Sequence, residues 1–237
     1  MLKVKICDLQ FSFTPLSDII FFMSVIDLFN FDKQFNQSII GTDEAGRGPA
    51  AGGVYAAAVH FEKITDGLIK DLEVLNDSKK LTPKKRESIY DTILNNTLNK
   101  IVCVEVNEIE KINILNSSLK AMNIVCSQIV AELDNPLVLV DGNKLIKNFT
   151  PPQKYIIKGD SKSASIAAAS ILAKVSRDRY MQKLHDEFPM YNWAKNAGYL
   201  TKEHINAIDK YGLTKYHRPS FLRKHFEEVK QLSLLPA

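Results

Sequence analysis

The chain has 237 residues, 45% hydrophobic and 24% charged, with a formal net charge of +4. It is long enough to bury a sizeable core, and its charge is too small to name a partner. Its longest apolar run, "DIIFFMSVIDLF", is broken by Asp18, Ser24 and Asp27, too short to span a bilayer, and it lacks a basic start and a small-residue cleavage site, so a secretory signal is not expected.

Three cysteines, Cys7, Cys103 and Cys126, are odd in number and lack metal-ligand spacing, which points to a reducing, cytoplasmic setting. Residues 1–37 are aromatic-rich and glycine-free, without clean helical or strand alternation, and read as an N-terminal extension of unknown role. Strands are predicted over 38–43 and 53–61, separated by a glycine-rich turn. A helix follows in "LTPKKRESIYDTILNN", with Thr82 as N-cap and Pro83 at its first position. "KIVCVEV" (100–106) alternates as a strand. Leu115, Leu119, Met122, Cys126, Ile129 and Leu133 then make one apolar helical stripe, ended by Asp134-Asn135-Pro136.

"LVLVD" (137–141) is a short continuous apolar run suited to a strand covered on both faces, and "KYIIKGD" (154–160) reads as another strand. "SASIAAASILAKVSRDRYMQKL" is a long helix, alanine-rich where it packs closely, and shorter helices are expected over 202–211 and 221–232. The order implies an α/β domain with a C-terminal helical addition. Between Ala194 and Phe226 the chain is locally basic: Lys195, Lys202, Lys210, Lys215, Arg218, Arg223 and Lys224 face only Glu203 and Asp209. A polyanionic partner and a solvated helical face explain it equally well.

Four acids share one position in this pattern. Asp43 and Glu44 end the first strand, Asp141 ends "LVLVD", and Asp160 ends "KYIIKGD". One strand-terminal aspartate is as readily a turn or cap residue as a ligand. Several gathered at the carboxyl edge of one sheet repel one another unless a cation holds them, and Mg²⁺ or Mn²⁺ suits an all-oxygen donor set. Asp43 and Glu44 are neighbours, so in a regular strand they face opposite ways. Both serve one site only if the strand ends there, which the following Ala45-Gly46 allows.

In order along the chain, "GTDEAGRGPAAGGVYAAAV", "LNDSKKLTPKKR", "LVLVDGN", "KGDSKSASIAAASILAKVSRD" and "GYLTKEH…YGLTKYHRPSF" closely resemble bacterial ribonuclease HII, the type 2 ribonuclease H, over about residues 38–228. The resemblance implies an RNase H-like fold, with a central mixed sheet flanked by helices and a C-terminal helical extension. It implies a catalytic domain over 38–190 and a helical substrate-binding region over 191–230. The implied activity is metal-dependent endonucleolytic hydrolysis of RNA in RNA/DNA hybrids. It includes two-metal incision 5′ of single ribonucleotides in duplex DNA, leaving 3′-hydroxyl and 5′-phosphate ends, in ribonucleotide removal and primer degradation. The family's metal-binding acids fall on Asp43, Glu44, Asp141 and Asp160.

By the same resemblance, Gly46, Arg47 and Gly48 match the ribonucleotide-sensing loop, and Tyr199 matches the tyrosine that packs on the sugar just 3′ of the ribonucleotide. Sensing a 2′-hydroxyl calls for close backbone approach, and a guanidinium grips the adjacent phosphate. Ser78, Lys79 and Lys80 fit phosphate contacts, and Arg218 is a candidate substrate contact beside a packing role. Where the family commonly reads His-Lys-Gly-Tyr, this chain has Asn196-Ala197-Gly198-Tyr199. A type 3-like enzyme, poor at single ribonucleotides, and a non-catalytic hybrid-binding protein remain as alternatives. The last residues, Gln231-Leu232-Ser233-Leu234-Leu235-Pro236-Ala237, resemble the peptide by which bacterial repair proteins dock on the sliding clamp. The chain is expected to act as a monomer.

Overall fold

The computed structural model describes residues 24–232, with side chains as far as residue 227. Five strands, β1 (Ile39–Ala45), β2 (Val54–His60), β3 (Leu98–Val104), β4 (Leu137–Asp141) and β5 (Gln153–Ile156), form one sheet in the order β3-β2-β1-β4-β5. β1 and β2 are antiparallel, as are β2 and β3, while β4 and β5 extend the sheet in parallel from β1. The expected RNase H-like mixed sheet is therefore present. β1 does not stop at Asp43: Glu44 still pairs with Ala56 and Ala45 with Tyr55.

Of the predicted N-terminal extension, Val25–Lys33 is a helix, α1, started by a reciprocal cap between Ser24 and Asp27. Its Leu28 and Phe29 are buried in the main core, and its Asp32 accepts the Ser165 amide at 2.8 Å. Two further short helices, α2 (Asp66–Asp71) and α4 (Val106–Ile112), were not expected. α3 (Pro83–Asn96) begins as predicted, with Thr82 Oγ1 accepting from the Lys85 amide at 3.3 Å. α5 (Ile114–Val130) covers one face of the sheet, its Met122, Cys126 and Ile129 packed against Ile40, Val138 and Val140.

The opposite face is covered by α6 (Ala164–Glu187), whose first ten residues are all buried. Such burial needs small side chains, and Ala167–Ala169 meet Ala57 of β2 in a core shared with α1 and α3. At Gly41 the approach is closest: a Cβ there would lie 2.1 Å from the Ser165 carbonyl carbon. Only glycine fits between β1 and the α6 backbone.

Behind α6, the helices α7 (Trp193–Asn196), α8 (Lys202–Tyr211) and α9 (Pro219–Leu232) enclose a second core around Trp193. Trp193 Nε1 donates to His204 Nε2 at 3.0 Å, and His217 Nε2 lies 3.2 Å from the same atom. The Thr214 amide donates to His217 Nδ1, and His204 Nδ1 lies 2.9 Å from the Tyr199 carbonyl. These contacts assign one proton to each ring, on Nδ1 of His204 and Nε2 of His217, so both are neutral. Burial and the neighbouring His204 push His217 down to about 4, and burial also lowers His204.

A base whose folded pKa is depressed contributes stability above its unfolded value of about 6.5, and that stability is lost as pH falls toward the folded value. The C-terminal core is expected to lose on the order of 3 kcal/mol between about pH 6.5 and 4, followed through Trp193, the chain's single tryptophan. His217→Asn should flatten this acid limb; an unchanged limb would assign it elsewhere.

Candidate active site

The parallel ladder between β1 and β4 pairs Ile39 with Leu137 and runs to Thr42 with Val140. The next residues in register are Asp43 and Asp141, so the ladder itself sets the two carboxylates side by side at the strand ends. Both point to the α6 side of the sheet, like Gly41 and Leu139 before them. Asp160 arrives differently from the prediction. β5 ends at Ile156, Lys158 takes a left-handed conformation, and Asp160 sits on a 3₁₀ turn, Gly159–Ser161. That turn is bound to Asp141, whose Oδ1 accepts the Gly159 amide at 2.7 Å and the Asp160 amide at 3.4 Å. Ligand oxygens of Asp43, Asp141 and Asp160 all lie within 4.8 Å of one another.

Glu44 stands outside that trio. Because β1 continues through it, its side chain turns to the α5 side, beside Leu115 and Ser118, and accepts Arg47 Nη1 at 3.2 Å. It lines the rim between the two faces, close enough for its charge to act on Asp43. Burial first, then the charges of Glu44 and Asp141, hold the Asp43 carboxyl well above the usual range. Burial, then Asp141 and Asp77, push Asp160 up to about 6. Burial also raises Glu44, against the pull of Arg47.

Lys79 faces these acids. Burial works to lower its pKa, but the fields of Asp43, Asp160, Asp77 and Asp141 outweigh it and hold the ammonium above its ordinary value. Lys80 is exposed and does not line the groove. Ser78 is not available as a phosphate contact: it is 3% exposed and its hydroxyl lies 2.7 Å from that of Ser170, which in turn hydrogen-bonds Asp43.

Past Glu44 the chain enters the Gly-Arg-Gly turn. Gly46 has φ +100° and lies over Arg177, whose Nε would be 2.2 Å from a Cβ there. Arg47 and Gly48 are exposed, and the Tyr199 ring, also exposed, lies beside Gly48. Two buried guanidiniums fix this arrangement. Arg177 donates to the carbonyls of Ala51, Gly53 and Ala197, and Arg218 to those of Pro49 and Gly52. Arg218 is fully buried, so it is a brace for the loop and not a substrate contact. One groove thus holds Asp43, Glu44, Arg47, Lys79, Lys174 and Tyr199.

The family model for ribonuclease HII matches residues 40–229. The chain belongs to the ribonuclease HII family. It is 47% identical over 203 residues to ribonuclease HII of Fusobacterium nucleatum, covering 84% of this chain and 92% of that one. Among solved structures it is similar to ribonuclease H2 of Pyrococcus horikoshii (TM-score 0.63, 24% identity, 81% of this chain and 99% of that one). It is likewise similar to the PCNA:RNase HII complex of Archaeoglobus fulgidus (TM-score 0.62, 22% identity, 76% and 93%). As a ribonuclease HII, the chain is a metal-dependent hydrolase of RNA in RNA/DNA hybrids. Among the described residues no helix is long and apolar enough to cross a membrane.

In this family member the departure at Asn196-Ala197 has a structural role. Asn196 is buried, donates to the Tyr191 carbonyl at 2.7 Å and accepts the Gly198 amide at 2.8 Å, which sets the turn that presents Tyr199. Sequence reasoning missed Ser170, Lys174, Arg177 and the fifth acid, Asp77. The first three were detectable: they step by four and three along α6, a polar stripe on a helix whose first ten residues are buried and mostly apolar.

A buried, oxygen-only, mutually repelling donor set fits a hard divalent cation. Acids with raised folded pKa values contribute stability at low pH and lose it as pH rises through those values. The metal-free protein should therefore lose stability from about pH 4 through 6, and Mg²⁺ or Mn²⁺ should raise Tm more at pH 8 than at pH 5. Asp160→Asn should raise the metal-free Tm at pH 8 by roughly 2–4 °C, equivalent to ~1 kcal/mol, and shrink the increment from metal. A metal increment equal at both pH values would remove the acid cluster from this account.

Proposed function

We propose that this ribonuclease incises duplex DNA on the 5′ side of a single embedded ribonucleotide, as well as cutting longer RNA tracts in hybrids. The observation that carries the reading is the groove itself, in which Asp43, clustered with Asp141 and Asp160, lines one surface with the Gly46-Arg47-Gly48 turn and Tyr199. Asp43, Asp141 and Asp160, with Glu44 at the rim, would hold two divalent ions, Mg²⁺ or Mn²⁺. When bound, such ions supply an activated water and stabilise the leaving oxygen of the phosphodiester.

The chain's own residues do the rest. The Gly159 amide fixes Asp141, and Ser170 fixes Asp43, so the carboxylates are oriented before substrate arrives. Ser78 and Ser170 are buried and bonded to each other, which leaves attack to water; a P–O bond to water would form as the bond to the 3′-oxygen breaks, giving 3′-hydroxyl and 5′-phosphate products. Gly46 and Gly48 let backbone groups approach a 2′-hydroxyl, which both donates and accepts. Arg47 grips the neighbouring phosphate, and Tyr199 packs on the next sugar, making residues 191–230 the substrate-binding region. Lys79 lies at the acids and would carry the nearest phosphate once cations balance them. Every residue in this scheme comes from one chain, so a monomer suffices.

With Mg²⁺ or Mn²⁺, duplexes carrying one or four ribonucleotides should both be cut. Asp43→Asn or Asp141→Asn should abolish cleavage and leave duplex binding in place. Cleavage of the four-ribonucleotide duplex alone would instead make the enzyme type 3-like, and full activity in either variant would remove the site assignment.

A second proposal concerns the tail, where Gln231–Leu235 would dock on a bacterial sliding clamp and serve ribonucleotide removal and primer degradation during replication. These side chains lie outside the described residues, and the support is the sequence pattern together with the archaeal neighbour, which is in complex with PCNA. Deleting residues 231–237 should abolish binding of the purified protein to the clamp; undiminished binding would end the idea.

A further inference from the structure

A second groove leaves the site on the α5 side of the sheet, away from Tyr199. A recess lined by Glu44, Arg47 and Asp141 continues past Asn143 and Lys144. Across Leu119 it opens into a hollow between α5 and the loop that follows β4, lined by Asn116, Lys120, Asn123, Lys147 and Asn148. No carboxylate lines that hollow. Glu108, the ion-pair partner of Lys120 at 2.6 Å, is outside its wall.

The wall is built and held. Asn123 Nδ2 donates to the carbonyls of Lys147 and Asn148, at 3.0 and 3.2 Å. Lys147 Nζ donates to Asn116 Oδ1 at 2.9 Å, which leaves two of its three N–H donors free to turn outward. Behind them Gln153 clasps Ile146 by both its amide and its carbonyl, at 2.8 and 3.0 Å, and Ile146 is 3% exposed. Lys144 is exposed at the junction with the acidic site. The result is a fixed row of ammonium and amide groups in which Lys120 is paired with Glu108 while no carboxylate lines the hollow at Lys147, and the recess beside it shares Glu44 and Arg47 with the catalytic groove.

We propose that this row carries the sugar–phosphate backbone of the substrate duplex beyond the cleaved linkage, through sequence-independent contacts of Lys144 and Lys147. The inference rests on the nuclease reading above and adds a direction and a length to it. From Leu115, beside the acids, to Asn123, α5 rises about 12 Å, which is three to four base steps of roughly 3.4 Å. Duplex that ends within about two base pairs of the cut on this side would not reach the hollow. Duplex extending further would.

The test compares the full-length protein with a Lys144→Glu/Lys147→Glu double variant on three ribonucleotide-bearing duplexes. One is long on both flanks, one is trimmed to two base pairs on the 5′ flank, and one is trimmed likewise on the 3′ flank. On the long duplex the variant should show KM raised about ten-fold, a log–log salt slope shallower by about two, and kcat unchanged. Trimming one flank, and only one, should abolish the difference between the two proteins. A variant with wild-type KM and salt slope on the long duplex would overturn the proposal. So would a defect that persists on both trimmed duplexes, which would mark a general charge effect. If the unmodified protein cuts none of these duplexes, the nuclease reading fails instead.

Discussion

The contact on which the site depends is the one between strand β1 and helix α6 at Gly41. Side-chain packing normally keeps a helix and a sheet apart, but here the Ser165 backbone occupies the space a Cβ on Gly41 would need. That approach brings Ser170, one and a half turns further along α6, onto Asp43, and puts Gly159 and Asp160 beside Asp141. The alanines of β2 and α6 serve the same end, since bulky side chains there would lift the helix and pull the acids apart. Even Asp32 contributes, holding the Ser165 amide from α1. The small residues look like a packing detail, yet they set the spacing of the three carboxylates.

Held at that spacing, the acids oppose folding. Burial and mutual repulsion raise Asp43 and Asp160, and the only cation turned on all three is Lys79 among the groups that act on them. Repulsion of this kind is stored by the rest of the fold and released when divalent ions bind. Arg47 is placed to oppose the same charge at the other edge, through Glu44. Both cations therefore bear on the acids, from opposite edges of the site.

Much of this was legible in the sequence because it is local. "LVLVD" is a strand of the predicted length, Thr82-Pro83 starts α3, and the apolar stripe from Leu115 to Ile129 is the buried face of α5. Where the reading failed, a longer-range constraint was responsible. Alternation in "KIVCVEV" runs on to Val106, but that residue opens α4. "KYIIKGD" looks like a strand to its end, and the Asp141 carboxylate instead recruits its last residues into a turn. Glu44 was expected to reach the acids by the strand stopping, whereas the β2 partner keeps β1 extended. For Arg218 the sequence left substrate contact and packing both open, because nothing local shows that its partners lie about 170 residues earlier, at Pro49 and Gly52.

Those distant partners explain how the Gly-Arg-Gly turn is tied to the acids. The Gly-Arg-Gly turn has few side chains of its own with which to fix its shape, and Gly46 at φ +100° gains nothing from regular hydrogen bonding. Its rigidity is supplied from outside, by backbone carbonyls that accept from Arg177 and Arg218, and by the Ala50 amide bonded to the Gly198 carbonyl. The same Arg177 also binds the Ala197 carbonyl, two residues before Tyr199. One guanidinium therefore positions both the Gly-Arg-Gly turn and the turn before Tyr199, relative to a helix that already fixes Asp43. A shift of the C-terminal region would move the turn and the Tyr199 ring together against the acids. The buried charge is expensive to keep, and its place in the fold follows from this: neutral packing could fill the space, but a five-donor fork holds three carbonyls from two loops in one register.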